Sequence, residues 1–537
     1  MSETAMDGQT FDFIIVGAGS AGAVLAERLS KNAAHQVLLI EAGPPENWMS
    51  GMPKGYGKLL TDPGRAYFYP IAHDAKSRGP AEIWARGKML GGSSAINGMV
   101  WIRAGREDYD ELERAGNPGW GWETMLPYLR SLEDHQLGAS EYRGVGGPIE
   151  INTNPHRSPL AEAFIRAGVG MGLKEKDDQN GPELEGVGYA QWNIDRSGRR
   201  VSSARGFLTK ARGRNNFAVA GHVRVDKVEI IDGRAVGVLG MRDGQAVRYS
   251  ARREVILSAG ALESPRILQL SGIGDGAVLS AAGIKTVRHS PNVGRRMREH
   301  LTLALNFRLR NWKDSDNRAY SGLRLAANVL RYATLGSGPM ARGAAEAIVF
   351  AKVLPNASRA DSQIMFNPYS YVKSEKGITF EEEPGMQCYS YYMRPKSQGH
   401  VLVQSPDPTA PLLIDANYLD DESDRAGSIA GTRAIRNLMS KSSMRPFVVG
   451  ETQLTSNAQS DDEILDLYRR FGQSGYHAVG TAAMGPDENA VLDAELKVRG
   501  IAGLRVVDCS IFPEIPSGNT NAPAMAAALR AADLIVR

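Results

Sequence analysis

The chain has 537 residues, 42% hydrophobic and 23% charged, with 63 basic and 60 acidic side chains and a formal net charge of +3. That length exceeds what one compact core holds, so two or more domains are expected, and the balanced charge gives no electrostatic case for nucleic acid as a partner. Two distant cysteines, Cys388 and Cys509, exclude a zinc ribbon or a cysteine-ligated iron–sulfur cluster built from this chain alone, and short basic runs such as Gly294 to Arg298 read as solvated surface.

The N-terminus is polar and acidic, without the basic start and apolar run of a secretory signal. No stretch approaches the ~20 apolar residues that span a bilayer. The expectation is a cytoplasmic protein with no membrane span.

Residues 11–16 are apolar except for Asp12 and rich in β-branched side chains, which predicts a buried parallel strand. Gly17, Gly19 and Gly22 follow at G-x-G-x-x-G spacing, with Ser20 and Ala21 between them. The first glycine permits a tight turn, the second lets backbone approach a pyrophosphate, and the third lets the next helix pack close. That helix is predicted from Ala21 to Ser30, its N-terminal amides facing the phosphate charge. A second strand, Val37 to Ile40, ends in Glu41 and Ala42, and an acidic residue about 20 positions after the glycines is placed for ribose hydroxyls. Together these predict a dinucleotide cradle. Glu41 argues against NADP, whose extra phosphate it would repel, but the spacing does not separate NAD from FAD.

Further on, Gly91 and Gly92 remove side chains where backbone passes a flat ring or a phosphate, and Asn97 offers both a donor and an acceptor. Strands are expected at Gly147–Asn152, Glu254–Ser258, Ala347–Val353, Gln387–Met393, His400–Gln404 and Leu504–Val507. Alternation puts Tyr389, Tyr391 and Met393 on one face, either walling an aromatic pocket or packing on core helices. Leu323 to Leu335 reads as an amphipathic helix within a candidate lid or entrance, residues 311–345. Asp508 at a strand end is placed for the crevice where open sheets bind ligands, and Pro523 suits the first turn of a helix from Ala522 to Ile535.

Two longer stretches decide between the dinucleotides. Residues 87–98, from Gly-Lys-Met-Leu-Gly-Gly-Ser-Ser to Ala-Ile-Asn-Gly, and residues 260–274, from Gly-Ala-Leu-Glu-Ser-Pro to Gly-Ile-Gly, match both signature patterns of the glucose–methanol–choline (GMC) oxidoreductases. The chain also resembles that family at Glu41-Ala-Gly, at Ser203-Ala-Arg-Gly-Phe, at Val293-Gly with His300 close behind, from Pro411 to Leu419, and from Asp508 to Pro523.

The resemblance implies an α/β fold: a Rossmann-like FAD-binding domain plus a substrate domain with an antiparallel sheet flanked by helices. The FAD-binding domain takes residues 1–150, 200–300 and 490–537; the substrate domain takes 151–199 and 301–489. It implies FAD contacts from Leu90, Gly91, Asn97, Gly98, Met99 and Val100, from Val223 at the adenine, and from Ala259 and Gly260. Asp508, Asn521 and Pro523 join the cofactor set of Gly17, Gly19, Ser20, Ala21, Glu41 and Ala42. Some members attach FAD through a histidine just before the position of Asn97; Ile96 stands there, so FAD is expected to bind non-covalently.

His477 matches the family's catalytic histidine and Asn519 its second active-site position, with Asn521 as the alternative for that second role. The implied chemistry is oxidation of a primary alcohol, an aromatic one among the candidates. His477 takes the hydroxyl proton, Asn519 holds the oxygen, and hydride passes to the flavin. Oxygen or a quinone-type acceptor would reoxidise it. Rival readings are a choline dehydrogenase, with Glu346 as a candidate carboxylate for the ammonium, a hydroxynitrile lyase that keeps FAD without net redox, and a photochemical decarboxylase, which His477 argues against. Oligomeric state is left open.

Overall fold

The computed structural model describes residues 7–72, 81–374 and 377–537; the polar N-terminal residues 1–6 lie outside them. Ile14, Ile15 and Val16 are buried in the first strand, Thr10–Val16, which runs between two parallel neighbours. One is Val37–Glu41; the other is the second half of Gln245–Leu257. The first half of that thirteen-residue strand pairs antiparallel with Arg234–Arg242, so one strand joins the nucleotide unit to a meander. Seven strands complete the sheet, with Phe217–Gly221 beside Val37–Glu41 and Leu504–Val506 beside Gln245–Leu257.

Register matters more here than strand count. Val16 lies opposite both Ile40 and Leu257, and Leu257 lies opposite Val506. Four carboxyl ends therefore finish level, and the residues after them open on one crevice. The helices Ser20–Leu29 and Asn521–Val536, from opposite ends of the chain, pack against each other in the same core as this sheet. Alanines at 21, 23, 26, 524, 526, 527 and 528 allow that close approach.

A second seven-stranded sheet is antiparallel, built on Leu301–Leu309, Gly385–Tyr392, Ser362–Asn367, Ala347–Ala351 and Gly186–Tyr189 in that spatial order. Side chains alternate faces as pleating requires. Leu305, Phe366 and Cys388 enter a core with the helices Pro159–Val169, Glu422–Ser440 and Asp461–Phe471. Asn306, Asn367, Tyr389 and Tyr391 face a cavity instead. Two expected strands do not join this sheet. Ile149–Thr153 belongs to a small three-stranded sheet, and His400–Leu402 pairs only with Leu413–Asp415. Both are short strands whose partners lie nearby in sequence or in other layers, which a strand pattern does not reveal. The helix Gly322–Leu335 forms and ends at Gly336 in the left-handed conformation (φ 61°). Among the described residues no helix is long and apolar enough to cross a membrane, and no cluster of three or more potential ligands would hold a metal.

Candidate active site

One cavity of about 2100 Å³ runs from the crevice of the first sheet to the inner face of the second. Its first end is made largely of backbone. Gly17 turns the chain out of the strand at φ +101°, and a Cβ there would stand 2.5 Å from the Ser258 carbonyl oxygen. A Cβ on Gly92 would meet the Cα of Gly19 at 2.7 Å, so two glycine loops abut with nothing between them. Ser203 ties them, its hydroxyl donating to the Gly19 carbonyl at 3.1 Å and lying 3.0 Å from Ser94 Oγ. A groove stripped of side chains beside a helix N-terminus suits a pyrophosphate.

Glu41 accepts from the Ala18 and Gly43 amides at 3.0 and 2.9 Å, and burial pushes its carboxyl up to about 7. Asp508 accepts from the Gly260 amide at 2.9 Å and the Ser264 hydroxyl at 2.5 Å, clamping the start of the helix Gly260–Leu270 to the last strand. Asn521 accepts from Ser20 Oγ at 2.7 Å, which ties the C-terminal helix to the glycine turn.

Most of the sequence-derived residues reach the cavity wall: Gly17, Gly19, Ser20, Ala21, Glu41, Ala42, Asn97, Gly98, Met99, Val100, Val223, Ala259, Gly260, Asp508, Asn519 and Asn521 all line it. Leu90, Gly91 and Pro523 do not. The Gly91 amide is spent on Ala18 and that of Leu90 on Pro44, while Leu90 and Pro523 are buried among core side chains. They shape the loop and the helix without facing the cavity. Ile96 lines the cavity and carries no nucleophile. Arg200, which sequence reasoning did not single out, is buried and donates to Asn97 Oδ1 at 2.7 Å, to the Ser94 carbonyl at 3.2 Å and to the Ser50 carbonyl at 3.0 Å. It braces the loop that carries Asn97. An arginine beside a second arginine in a polar stretch has no signature of such a role.

At the other end, His477 lies in a segment pinned to residues 298–300 by backbone bonds: Gly475 donates to His300, and Val479 and Arg298 exchange bonds. Tyr476 holds a left-handed backbone (φ 63°), a strain its surroundings enforce. Glu299 Oε1 accepts the amides of His477 (2.7 Å) and His300 (2.8 Å), and its other oxygen faces Arg86 at 3.5 Å. Burial raises the Glu299 carboxyl to about 7 against the pull of Arg86.

The side chains form a hydrogen-bond chain whose protons can be assigned from its ends. The Tyr391 hydroxyl donates to Gln363 Oε1. Gln363 Nε2 then donates to Asn519 Oδ1 at 3.4 Å, which leaves Asn519 Nδ2 to donate to His477 Nε2 at 3.0 Å. From the other side, His300 Nε2 faces the Met393 carbonyl at 3.3 Å, and a carbonyl only accepts, so the His300 proton sits there. His300 Nδ1 is thus an acceptor, and His477 Nδ1, 2.9 Å away, carries a hydrogen that it donates. The one bare nitrogen of His477 is Nε2, beside Asn519. Burial first, then His300 and Arg86, holds His477 well below the ordinary histidine value, and burial takes His300 down to about 3. The Tyr391 ring stacks on His300 at 4.4 Å. Neither His300, Gln363 nor Glu299 announces this arrangement in the sequence; the proximity of His300 to Val293-Gly was the one signal present.

A glycine-lined crevice, a glycine-rich loop and a histidine–asparagine pair share one cavity, and comparison with known proteins makes the chain a flavin-dependent oxidoreductase of CH–OH groups with FAD as its cofactor. The chain matches the family description "GMC oxidoreductase" over residues 11–302 and again over 395–528, and it belongs to that family. It is 36% identical to an alcohol dehydrogenase (acceptor) of Pseudomonas putida over 98% of this chain and 96% of that one. It is also 36% identical to an oxygen-dependent choline dehydrogenase of Vibrio vulnificus, over 98% and 94%. Among solved structures, pyridoxine 4-oxidase from Mesorbium loti superposes with a TM-score of 0.88 at 30% identity, covering 97% of this chain and 98% of that one. The protein is a GMC oxidoreductase acting on alcohols.

Proposed function

We propose that the chain oxidises a primary alcohol to the aldehyde, with His477 as general base and Asn519 as the donor to the substrate oxygen. The observation that carries this reading is the assigned hydrogen-bond chain, which leaves one unprotonated histidine nitrogen, Nε2 of His477, against the cavity. A substrate hydroxyl that displaces Asn519 Nδ2 from that nitrogen gives it a proton, while the same amide turns to the oxygen as negative charge grows there. His477 then holds two protons, and the proton at Nδ1 stays on the bond to His300. FAD, when bound, supplies the two-electron acceptor for the α-carbon hydride. Gly17, Gly19, Ser20, Ala21, Glu41 and Ala42, which line the cavity, would hold its nucleotide end in this reading, and residues 97–100, which line it too, would contact its ring. Ile96 leaves the link non-covalent. In the same reading residues 1–150, 200–300 and 490–537, which carry the strands of the first sheet, bind FAD, and residues 151–199 and 301–489, which carry the strands of the second, bind the alcohol.

Choline, the substrate printed in the names of several relatives, finds no support at Glu346. That carboxylate is paired with Arg342 at 3.1 Å and does not line the cavity.

The test is a visible spectrum of the purified holoenzyme mixed without air with aromatic, aliphatic and amino alcohols. Bleaching by one class establishes alcohol oxidation and names the class. Readmitted air separates an oxidase, which recovers its colour fast, from a dehydrogenase that needs a quinone-type acceptor. If no alcohol bleaches the enzyme while dithionite does, the alcohol-oxidation reading fails and the lyase reading takes its place.

A further inference from the structure

The substrate end of the cavity already holds a cation of the protein's own. Lys54 Nζ lies 4.7 Å from the ring centre of Tyr369, 5.6 Å from that of Tyr320 and 5.9 Å from that of Tyr56. All four residues line the cavity. An ammonium against several tyrosine rings is the setting in which a quaternary ammonium ligand would bind. Here Lys54 fills it, and it is tethered: Nζ donates to the Gly343 carbonyl at 2.8 Å and to the Tyr369 hydroxyl at 3.3 Å.

An ammonium has three donors, and these two bonds leave one. Among the described residues no carboxylate forms an ion pair with Lys54; Glu346 feels its charge, but Glu346 Oε1 is paired with Arg342 and Oε2 makes no hydrogen bond. Two other cations on the same wall are matched, Arg86 by Glu299 and Arg224 by Asp226, while Lys58 on that wall is exposed to solvent. Beside Lys54, the Tyr320 hydroxyl is buried with no hydrogen-bond partner. The free third donor of Lys54 and the unpartnered Tyr320 hydroxyl, set among aromatic rings, can both donate to an acceptor that a ligand brings.

We propose that Lys54 selects alcohols that carry a carboxylate at the end remote from the hydroxyl, and that it excludes quaternary ammonium alcohols such as choline. The proposal rests on the reading of this cavity as the alcohol site. A carboxylate would receive the third Lys54 proton as a charge-assisted bond, with Tyr320 as a second donor. The tyrosine rings would flank a flat substrate body. A quaternary ammonium would meet the Lys54 charge where it needs the rings.

The experiment measures binding rather than turnover, so it stays informative if no alcohol is oxidised. Three ligands without a hydroxyl group, 4-methylbenzoate, 4-methylbenzamide and benzyltrimethylammonium, are titrated into the holoenzyme and followed by the shift in flavin absorbance. The benzoate is expected to bind at least about tenfold more tightly than the neutral amide, and the ammonium not to bind. Lys54→Met should abolish the preference for benzoate over amide, and Lys54→Arg should keep it, with the flavin spectrum reporting that both variants are folded. The proposal is overturned if the ammonium binds as well as the benzoate, if Lys54→Met leaves the benzoate-to-amide ratio unchanged, or if the benzoate does not bind at all. Benzoate binding together with a failure of every alcohol to bleach the flavin would sink the oxidation reading and leave the anion site standing.

Discussion

The two ends of the cavity are built from different materials. The end at the first sheet is mostly main chain: level strand ends, two abutting glycine loops, and amides held by Glu41 and Asp508. The end at the second sheet is mostly side chain, gathered from segments far apart in sequence: Lys54, Tyr320, Tyr369, Tyr391, His300, His477 and Asn519. Backbone geometry tolerates few substitutions, because a Cβ in the wrong place meets atoms that cannot move. Side-chain geometry is easily re-dealt on the same scaffold, so one frame can serve different alcohols. Changes at the first end should therefore remove the cofactor, and changes at the second should spare the cofactor and alter the chemistry.

The largest expected effect is at the first end. Gly17→Val forces a branched side chain onto the Ser258 carbonyl at a left-handed position, and purified protein should carry essentially no FAD by its absorbance ratio. A yellow Gly17→Val protein would break the contrast. Next, His477→Ala should keep its FAD and slow anaerobic flavin reduction by roughly 10³- to 10⁴-fold; loss of the flavin would make His477 structural instead.

His300→Phe removes the acceptor for the His477 Nδ1 hydrogen and should cost about 10²-fold or more, as a wrong tautomer does elsewhere. His300→Asn, whose carbonyl can still accept, should recover much of that loss. Nitrogen-15 NMR of labelled histidine should show the His477 proton on Nδ1 in the parent, and a proton on Nε2 there would contradict the assigned chain. Asn519→Ala is expected to lose on the order of 10²-fold in reduction rate with FAD retained. Were Asn519→Ala silent and Asn521→Ala damaging, the roles of the two asparagines would exchange.

The smallest effect is in the pH profile. His477 lies well below 6.5 and stays neutral across the ordinary range, so its protonation should leave no limb at that value. Glu299 lies near 7; below that it is neutral and no longer balances Arg86, so kcat/KM should fall as pH drops through about 7. Glu299→Gln should abolish this limb, and a limb that survives it would belong to His477.

Much of the first end was legible in the residues. Gly17, Gly19 and Glu41 stand a fixed number of positions apart within one βαβ unit, where local spacing and local geometry are nearly the same thing. The pair His477 and Asn519 was legible only through family resemblance, since a histidine in a loop has no spacing to mark it. The structure puts Asn519 against His477 and Asn521 against Ser20. Leu90, Gly91 and Pro523, expected at the cofactor, do not line the cavity, because motif membership does not say which residues of a loop or helix face it.

What the sequence determined by itself was the class of chemistry: a strand–glycine–helix unit, an acidic residue at the spacing that suits a ribose, and two family signatures, each contiguous. What only the tertiary structure decided was which groups meet at the reacting end and in which protonation state. His300 and His477 are 177 positions apart, and the tautomer of one is set by a carbonyl that faces the other. The cation at Lys54 likewise gains meaning only from three tyrosines that folding brings around it. Such long-range contacts are fixed by how two sheets and their loops pack, and no local pattern of residues encodes them.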